Sequence, residues 1–338
     1  MSSPIFAHGP KLNKTLLFSI FLIILSWGIW YGYTSPFSLA IIIQNWPVTL
    51  TMIFGSFIAG ATSEGGGAIA FPVFTKVLHI HPFDAKVFSL AIQSIGMLAA
   101  SLTIIVMRVT VEWRFILWAS LGGILGVTAG SLLISPLLSS ALIKMLFTAM
   151  VSSFALTLLL INWRPRVYNK YMPMMTNSEK QIVLVTGFLG GIMTGLVGTG
   201  IDIICFSVMV LLFRLPEKIS TPTSVILMAI NAWCGFALHI FVLDGFTDTV
   251  EDYWLAAIPV VVVGAPLGAY FCTRLNNRTI ASIVIGLILV ELISSLYLIP
   301  LTREIVSISS LVFLLFLFIY YRISISKRYV FNLKKELC

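Results

Sequence analysis

The hydrophobic pattern of the chain consists of long apolar runs separated by short polar segments. A transmembrane α-helix needs about 20 consecutive apolar residues, and eight runs in the chain reach or approach that length. These runs are 15–33, 85–107, 115–134, 141–161, 219–243, 253–272, 279–299 and 306–321. The pattern therefore predicts an all-α integral membrane protein.

Four further apolar runs are too short to cross a membrane comfortably, and they occur in pairs around a glycine-rich break. The runs are 47–62 and 68–78 in the first half of the chain, and 182–196 and 203–213 in the second half. The first pair flanks Gly65-Gly66-Gly67, the first glycine loop, and the second pair flanks Gly198-Thr199-Gly200, the second glycine loop. Because each glycine inside a helix costs roughly 1 kcal/mol relative to alanine, the loops are predicted to break each pair into half-helices or a re-entrant hairpin, and the sequence leaves open whether these segments cross the membrane fully.

The same order of elements occurs twice. The two glycine loops are offset by 133 residues, and a Gly-x-x-x-Gly spacing follows in both halves, beginning at Gly126 and at Gly264. This spacing lets helices approach closely. A hairpin plus three full spans gives each half an odd number of crossings, so the halves are predicted to be inverted-topology repeats. The predicted organisation is an N-terminal tail with the first transmembrane helix (1–46), repeat 1 (47–161), a cytoplasmic linker (162–181), repeat 2 (182–299), and a last transmembrane helix with a basic tail (300–338).

The composition and the distribution of charge place the chain in a bilayer. Only 10% of its residues are charged, against about 25% in soluble domains, and its mean hydropathy is +1.02. The net charge of +8 does not indicate nucleic-acid binding, because the basic residues lie in short loops between apolar runs. With both termini in the cytoplasm, 17 of the 21 lysines and arginines fall on that side, as the positive-inside rule requires. The expected location is the cytoplasmic (inner) membrane, multi-pass, with both termini cytoplasmic.

The first apolar run permits a second interpretation. Ser38-Leu39-Ala40 resembles a cleavage site, so the run 15–33 could belong to a secretory signal peptide. Its length of about 19 residues exceeds the usual hydrophobic region of a signal peptide, which has about 7–15 residues. The aromatic cluster between Trp27 and Tyr33 is typical of a membrane interface. A retained transmembrane helix is the favoured interpretation.

The two glycine loops are the predicted substrate site. Paired helix breaks at matching places in two halves mark the binding sites of secondary transporters. The N-terminus of a half-helix offers unpaired N–H groups and the positive end of a dipole to an anion, and glycine allows close approach to that backbone. Gln93 and Asn231, in the long helices that follow the hairpins, are predicted to add amide groups to this site. The alternatives are that the glycines serve helix packing and that the amides hydrogen-bond neighbouring helices.

Glu64 and Asp202 adjoin the two glycine loops and are the predicted coupling residues. A charged carboxylate at the bilayer centre costs about 2.5–3.5 kcal/mol on insertion scales, and beside an anion site it would also repel the substrate. Protonation removes both penalties, so proton uptake by Glu64, Asp202 or both would couple proton binding to anion binding. The alternative is that the two carboxylates cap the N-termini of the short helices.

Two halves that each open with a glycine-rich hairpin, with Pro72 shortly after the first loop, resemble the sulfite exporter TauE/SafE family. The resemblance covers about residues 50–300. It implies a membrane transporter of sulfur-containing anions, including sulfite and organosulfonates, with coupling to protons. The second loop departs from the family pattern, because Thr199 replaces the middle glycine and Cys205 stands where the proline would fall.

The combined prediction is a secondary transporter that moves a small sulfur oxyanion or organosulfonate by alternating access. An anion channel and a carrier of a non-sulfur organic anion are the alternatives. The four histidines and four cysteines show no metal-ligand or nucleophile–base spacing, so no cofactor, metal or enzymatic activity is predicted. Lys76 and Lys86 are expected at the outer mouth, where they would attract anions or form a solvated rim. The expected partners are the anion, protons and the lipid bilayer, without nucleic acid.

Overall fold

The computed structural model describes residues 12–65, 72–162, 168–169, 171–172 and 175–325. Within these ranges all regular structure is helical, and nine helices are long and apolar enough to cross a membrane. The prediction of an all-α transmembrane protein is therefore confirmed. Gly66 and Gly67 of the first glycine loop, residues 163–167, 170, 173 and 174 of the linker, and the basic tail beyond Ile325 lie outside the described residues.

The helices follow the order of the apolar runs. In the described residues they are α1 (Leu12–Thr34), α2 (Ser38–Gln44), α3 (Trp46–Ala61), α4 (Pro82–Val106), α5 (Trp113–Ala129), α6 (Ser140–Asn162), α7 (Asn177–Val197), α8 (Ile201–Leu211), α9 (Glu217–Phe241), α10 (Asp248–Arg274), α11 (Asn277–Leu298) and α12 (Arg303–Ile325). A π-helical turn, Val73–Val77, follows the first glycine loop. Helix α5 continues through a π-helical turn and a 3₁₀ turn to Leu137. The eight predicted full spans correspond to α1, α4, α5, α6, α9, α10, α11 and α12.

The ninth candidate span is α7, where the hydrophobic pattern predicts only a half-helix over 182–196. Helix α7 begins at Asn177 and has 21 residues, which is the length of a full span. Thr176 and Glu179 form a capping box at its start, in which the Thr176 N–H donates to Glu179 Oε2 at 3.0 Å. The predicted length was wrong because the helix starts in a polar sequence, and capping residues rather than hydrophobicity set that start.

The first hairpin begins with α3, which meets the preceding short helix α2 at a bend of 86°. Helix α3 has 16 residues, as expected for a half-helix, and its C-cap Thr62 is extended. Helix α2 has 7 residues and lies in a segment for which the hydrophobic pattern predicts no helix. The first glycine loop follows α3, and Gly65 has a φ of +69°. Glycine adopts this left-handed conformation without the steric cost that other residues meet.

The second glycine loop breaks the chain between α7 and α8. Gly198 and Gly200 have φ angles of +89° and +137°, which glycine tolerates because it has no Cβ. Gly198 caps the C-terminus of α7, and its N–H donates to the Thr194 carbonyl oxygen at 2.8 Å. Helix α8 then restarts at Ile201, and all of its 11 residues are buried. The helix break is therefore at the predicted place.

Small residues bring helices of the first half against helices of the second half. Helix α3 packs on α10, and α5 packs on α7. A Cβ added to Gly268 of α10 would lie 2.0 Å from the Phe57 carbonyl oxygen, and one added to Gly126 of α5 would lie 2.1 Å from the Phe188 carbonyl oxygen. The first helix of each hairpin thus packs on a glycine-containing helix of the other half. Pseudo-symmetric repeats would pack in this way, and the inverted orientation of the two halves stays a prediction.

The segments predicted to face the cytoplasm lie together at one end of the bundle. The N–H of Asn169 in the linker donates to the Arg214 carbonyl oxygen at 2.9 Å, and Arg214 Nη2 donates to the Ser324 carbonyl oxygen at 3.2 Å. The N–H of Met172 donates to Glu112 Oε1 at 3.1 Å. The linker, the α4–α5 and α8–α9 connections and the end of α12 therefore share one side. The assignment of that side to the cytoplasm stays a prediction.

Candidate functional site

The two glycine loops meet in the interior of the bundle. Thr199 Oγ1, in the second loop, donates to the carbonyl oxygen of Glu64, beside the first loop, at 3.2 Å. A Cβ added to Gly65 would lie 2.3 Å from Asp202 Oδ2 and 3.0 Å from Thr199 Oγ1. Glu64, Gly65, Thr199 and Asp202 together form the loop junction. Glycine at position 65 is therefore required by close approach as well as by its φ angle.

Gln93 reaches the loop junction from α4. Its Nε2 donates to the Gly198 carbonyl oxygen at 2.7 Å and to the Ser89 carbonyl oxygen at 3.0 Å. Its Oε1 is buried and has no hydrogen-bond partner among the described residues, and it would lie 2.7 Å from a Cβ on Gly65. Gln93 thus holds the second loop with its amide nitrogen and presents an unpaired oxygen at the junction.

Asn231 lies farther from the loop junction, on α9. Its Nδ2 donates to the Leu227 carbonyl oxygen of the same helix at 2.8 Å, and its Oδ1 is buried without a partner in the described part of the chain. Asn231 Oδ1 and Ile201 Cδ1 would each lie 2.3 Å from a Cβ on Gly123. Asn231 and Ile201, the first residue of α8, therefore both lie against Gly123 of α5.

Asp202 is held by the N-terminus of α8. Its Oδ1 accepts from the N–H groups of Gly200 and Ile203, at 3.0 Å each, and Thr199 Oγ1 lies 3.3 Å from Oδ2. The residue is 1% exposed. A carboxylate that satisfies free N–H groups at a helix start is a helix cap. These contacts favour the capping alternative for Asp202.

Glu64 has a different environment. The residue is 6% exposed, and its Oε1 has no hydrogen-bond partner within the described residues. Its side chain borders a cavity of about 170 Å³, which is also lined by the π-helical turn and by α11. The half-helix that Glu64 was predicted to cap would begin near residue 68, which lies outside the described residues. Glu64 and Asp202 therefore differ in their partners, although both are buried carboxylates at the same junction.

On the side of Gln93, the described residues leave little open space at the loop junction. A space of about 10 Å³ adjoins Gln93, between α3, α4 and α10, and this is about the volume that one water molecule needs. Two larger cavities lie nearby. One, of about 170 Å³, borders Glu64, and the other, of about 200 Å³, borders Gly60 and Lys218. A solute would therefore reach Gln93 from this side only through a conformational change, whereas Glu64 already borders a cavity.

Two lysines that were predicted at the outer mouth are instead buried. Lys76 is 8% exposed, and its Nζ lies 3.2 Å from Glu291 Oε1. Lys86 is 2% exposed, and its Nζ donates to Ser135 Oγ at 3.1 Å. The prediction was wrong because the polar groups that bind the two lysine side chains lie on other helices, and the local sequence around each lysine does not show them. The sequence feature that could have revealed the burial of Lys76 was Glu291, since a carboxylate deep in an apolar run needs a partner.

The described residues contain no candidate metal centre. No three histidine, cysteine, aspartate or glutamate side chains in them lie close enough together to hold a metal ion. Cys205, Cys234 and Cys272 are free thiols.

Comparison with known proteins gives one family. The family model described as Sulfite exporter TauE/SafE matches residues 48–298. A curated relative, the "Probable membrane transporter protein YunE" of Bacillus subtilis (strain 168), is 31% identical over 103 residues, which are 30% of this chain and 35% of the relative. The match therefore spans only about a third of the relative's length. No solved structure matches the chain significantly.

Proposed function

The chain belongs to the sulfite exporter TauE/SafE family of membrane transporters, and from this premise we propose that it moves sulfite or an organosulfonate across the cytoplasmic membrane. The observation that carries the proposal is the loop junction, where two glycine-broken segments from different halves of the chain meet inside the bundle. Broken helices of this kind form the substrate sites of secondary transporters. The meeting of two broken segments inside the bundle favours a carrier, whose site opens to one side at a time, over an anion channel, which needs a continuous pore.

The start of α8 supplies the positive potential that an anion needs. The N–H groups of Gly200 and Ile203 point at one position, which Asp202 Oδ1 takes at 3.0 Å from each nitrogen. A substrate oxygen would take the same position during transport, and Gly200 leaves the backbone open to its approach. Asp202 then acts as an internal anion that closes the site between transport events.

The packing of the two halves offers a route for alternating access. Because α3 packs on α10 and α5 packs on α7, rocking of one half against the other would open the loop junction to one side at a time. The cavity of about 200 Å³ at Gly60 and Lys218 is proposed as the approach from the cytoplasm. The cavity of about 170 Å³ at Glu64 is proposed as the approach from the opposite side.

Glu64 is proposed as the residue that couples transport to protons. Its unpaired, buried oxygen makes the charged form costly, and protonation removes that cost. The substitution Glu64→Gln is expected to make organosulfonate transport independent of pH, because glutamine cannot exchange a proton, whereas the wild-type rate is expected to change with pH. The measurement is the flux of an organosulfonate such as taurine into proteoliposomes from acidic to neutral pH, because sulfite itself binds a proton in this range and the sulfonate group does not.

Asp202→Asn is the matched control for that experiment, since Asp202 is also a buried carboxylate at the loop junction. This variant is expected to slow transport through a weaker helix cap and to keep the wild-type pH profile. A wild-type pH profile in Glu64→Gln would remove Glu64 from the coupling. A flat profile in Asp202→Asn alone would assign the coupling to Asp202.

The substrate class is tested by the unfolding midpoint of the purified protein. A ligand that binds the folded state stabilises it, by about 2.7 kcal/mol at 100 times its Kd. Sulfite or an organosulfonate such as taurine or sulfoacetate is expected to raise the midpoint more than acetate does at equal ionic strength. A rise with carboxylates and none with sulfur anions would instead support a carrier of a non-sulfur organic anion.

A further inference from the structure

Lys76 and Glu291 form an ion pair inside the helix bundle. Lys76 Nζ and Glu291 Oε1 are 3.2 Å apart, and the two side chains are 3% and 13% exposed. Lys76 lies on the π-helical turn after the first glycine loop, and Glu291 lies on α11. The pair therefore joins the first hairpin to a helix of the second half.

Several hydroxyl groups converge on this ion pair. Lys76 Nζ donates to Ser294 Oγ at 3.1 Å and to Ser295 Oγ at 2.8 Å, in addition to Glu291. Glu291 Oε1 also accepts from Ser295 Oγ at 2.9 Å. Thr148 Oγ1 lies 3.1 Å from the same oxygen and 3.0 Å from a backbone carbonyl oxygen of α6, and its one hydrogen can bond only one of them at a time. One carboxylate oxygen thus accepts from an ammonium and a hydroxyl, with a second hydroxyl in reach. An oxygen of any small oxyanion could accept from the same donors.

A cavity of about 170 Å³ lies beside the ion pair. Its polar lining consists of Glu64, Lys76, Glu291 and Ser294, and its other walls are apolar. A water molecule takes about 30 Å³ in the liquid, so the cavity has room for a small oxyanion. Because Glu64 belongs to the loop junction as well, the cavity connects the ion pair to the proposed substrate site.

The charges around Lys76 make its partner exchangeable. Besides Glu291, the charged groups near the pair are Glu64, across the cavity, and Lys144 on α6. A buried ion pair contributes little net stability, because the desolvation of both charges offsets their attraction. An anion that replaces the Glu291 carboxylate at Lys76 restores the same attraction. The exchange keeps this attraction, and the displaced Glu291 carboxylate must then turn into the cavity or bind a proton, because an unpaired buried charge is costly.

We infer that Lys76 is a second anion-binding group of the transporter and that Glu291 takes the place of a substrate oxygen in this conformation. The ligand class is a small oxyanion with several acceptor oxygens, such as sulfite or a sulfonate. Its oxygen accepts from Lys76 Nζ, Ser295 Oγ and Thr148 Oγ1 once the Glu291 carboxylate has moved away. The inference rests on the proposed function, because it adds an approach position next to the loop junction.

The competing explanation is a purely structural ion pair, and the double variant Lys76→Met/Glu291→Gln separates the two. If the pair is only structural, removing both charges restores the stability that either single substitution loses. Sulfite affinity then stays at the wild-type value. If Lys76 binds the anion, the double variant folds and binds sulfite about ten-fold or more weakly, for lack of a charge-assisted hydrogen bond. The measurement is a sulfite titration of the unfolding midpoint of the purified full-length chain, with sulfite flux in proteoliposomes.

The single variant Glu291→Gln is expected to increase the rise of the unfolding midpoint that sulfite causes, whereas the double variant decreases it. It removes the carboxylate that competes for Lys76, so its midpoint without sulfite is lower and its sulfite-dependent rise is larger than in the wild type. Lys86→Met is the matched control, because Lys86 is a buried lysine that donates to Ser135 and does not border the cavity. It is expected to keep the wild-type sulfite affinity. If Glu291→Gln does not fold, the double variant decides alone.

A double variant with wild-type sulfite affinity and flux overturns the inference and leaves the proposed function standing. An equal loss of affinity in Lys86→Met also overturns it, because the effect would then follow from any buried lysine. A wild-type chain that neither binds nor transports any sulfur anion overturns the proposed function, and this inference with it.

Discussion

Replacement of Gly65 by valine is expected to abolish anion transport. Gly65 has a φ of +69°, and a sparsely populated backbone conformation of this kind costs a residue with a side chain of order 1–3 kcal/mol. A Cβ there would also lie 2.3 Å from Asp202 Oδ2 and 2.7 Å from Gln93 Oε1, so the loop junction could not close. Sulfite flux in proteoliposomes should fall to the level of vesicles without protein.

The matched control is Gly286→Val on α11. A Cβ at Gly286 would have no atom within 4 Å, so the same chemical change meets open space. Changes at such positions stay within about 0.5 kcal/mol, and sulfite flux should stay within about two-fold of the wild-type rate. Equal flux in the two variants would show that close approach at the loop junction is not needed for transport.

Removal of the Asp202 side chain is expected to destabilise the protein and stop transport. In Asp202→Ala, the N–H groups of Gly200 and Ile203 lose the oxygen that accepts from both at 3.0 Å. An unsatisfied buried donor costs about 1–3 kcal/mol, and no water in the bilayer core replaces the lost acceptor. The free energy of unfolding should therefore fall by about 2–6 kcal/mol for the two groups. The unfolding midpoint and the sulfite flux are the measurements.

Two control variants separate the loss of the α8 cap from the loss of any acidic side chain near a helix start. Asp202→Asn keeps a side-chain oxygen that can accept from the same N–H groups, so most of the stability should remain. Asp248→Ala removes an exposed acid from the first turn of α10, where a charge near the helix dipole contributes only about 0.3–1 kcal/mol. If Asp202→Ala were as mild as Asp248→Ala, the cap of α8 would not hold the second glycine loop.

Most of the fold follows from the hydrophobic pattern, because the thickness of the bilayer sets the length of a spanning helix. The run 219–243, for example, corresponds to α9 over Glu217–Phe241. The predicted helices differ from the structure in two places, one where polar residues set the start of a helix and one where the helix is very short. Helix α7 starts at a capping box outside its apolar run, and the short α2 has too few residues to show a hydrophobic period.

The loop breaks were predictable and their contacts were not. Clustered glycines reveal a break because their backbone freedom is a property of the residue itself, and Gly65, Gly198 and Gly200 all have positive φ angles. The hydrogen bond from Thr199 to Glu64 joins residues 135 positions apart. It depends on how α3 and α7 are placed by their partners in the opposite half, which no local pattern encodes.

Residue chemistry along the chain was therefore enough to predict a transmembrane protein, eight of the nine candidate spans in the described residues, the two glycine breaks and the family. Tertiary packing alone assigned partners to the buried charges, such as Glu291 to Lys76 and Ser135 to Lys86. The reason is physical. Burial of apolar surface is non-directional and scales with area, so it can be read from a single segment. Hydrogen bonds and ion pairs need donor and acceptor atoms about 3 Å apart in a defined geometry, and only the packing of helices far apart in sequence brings them there.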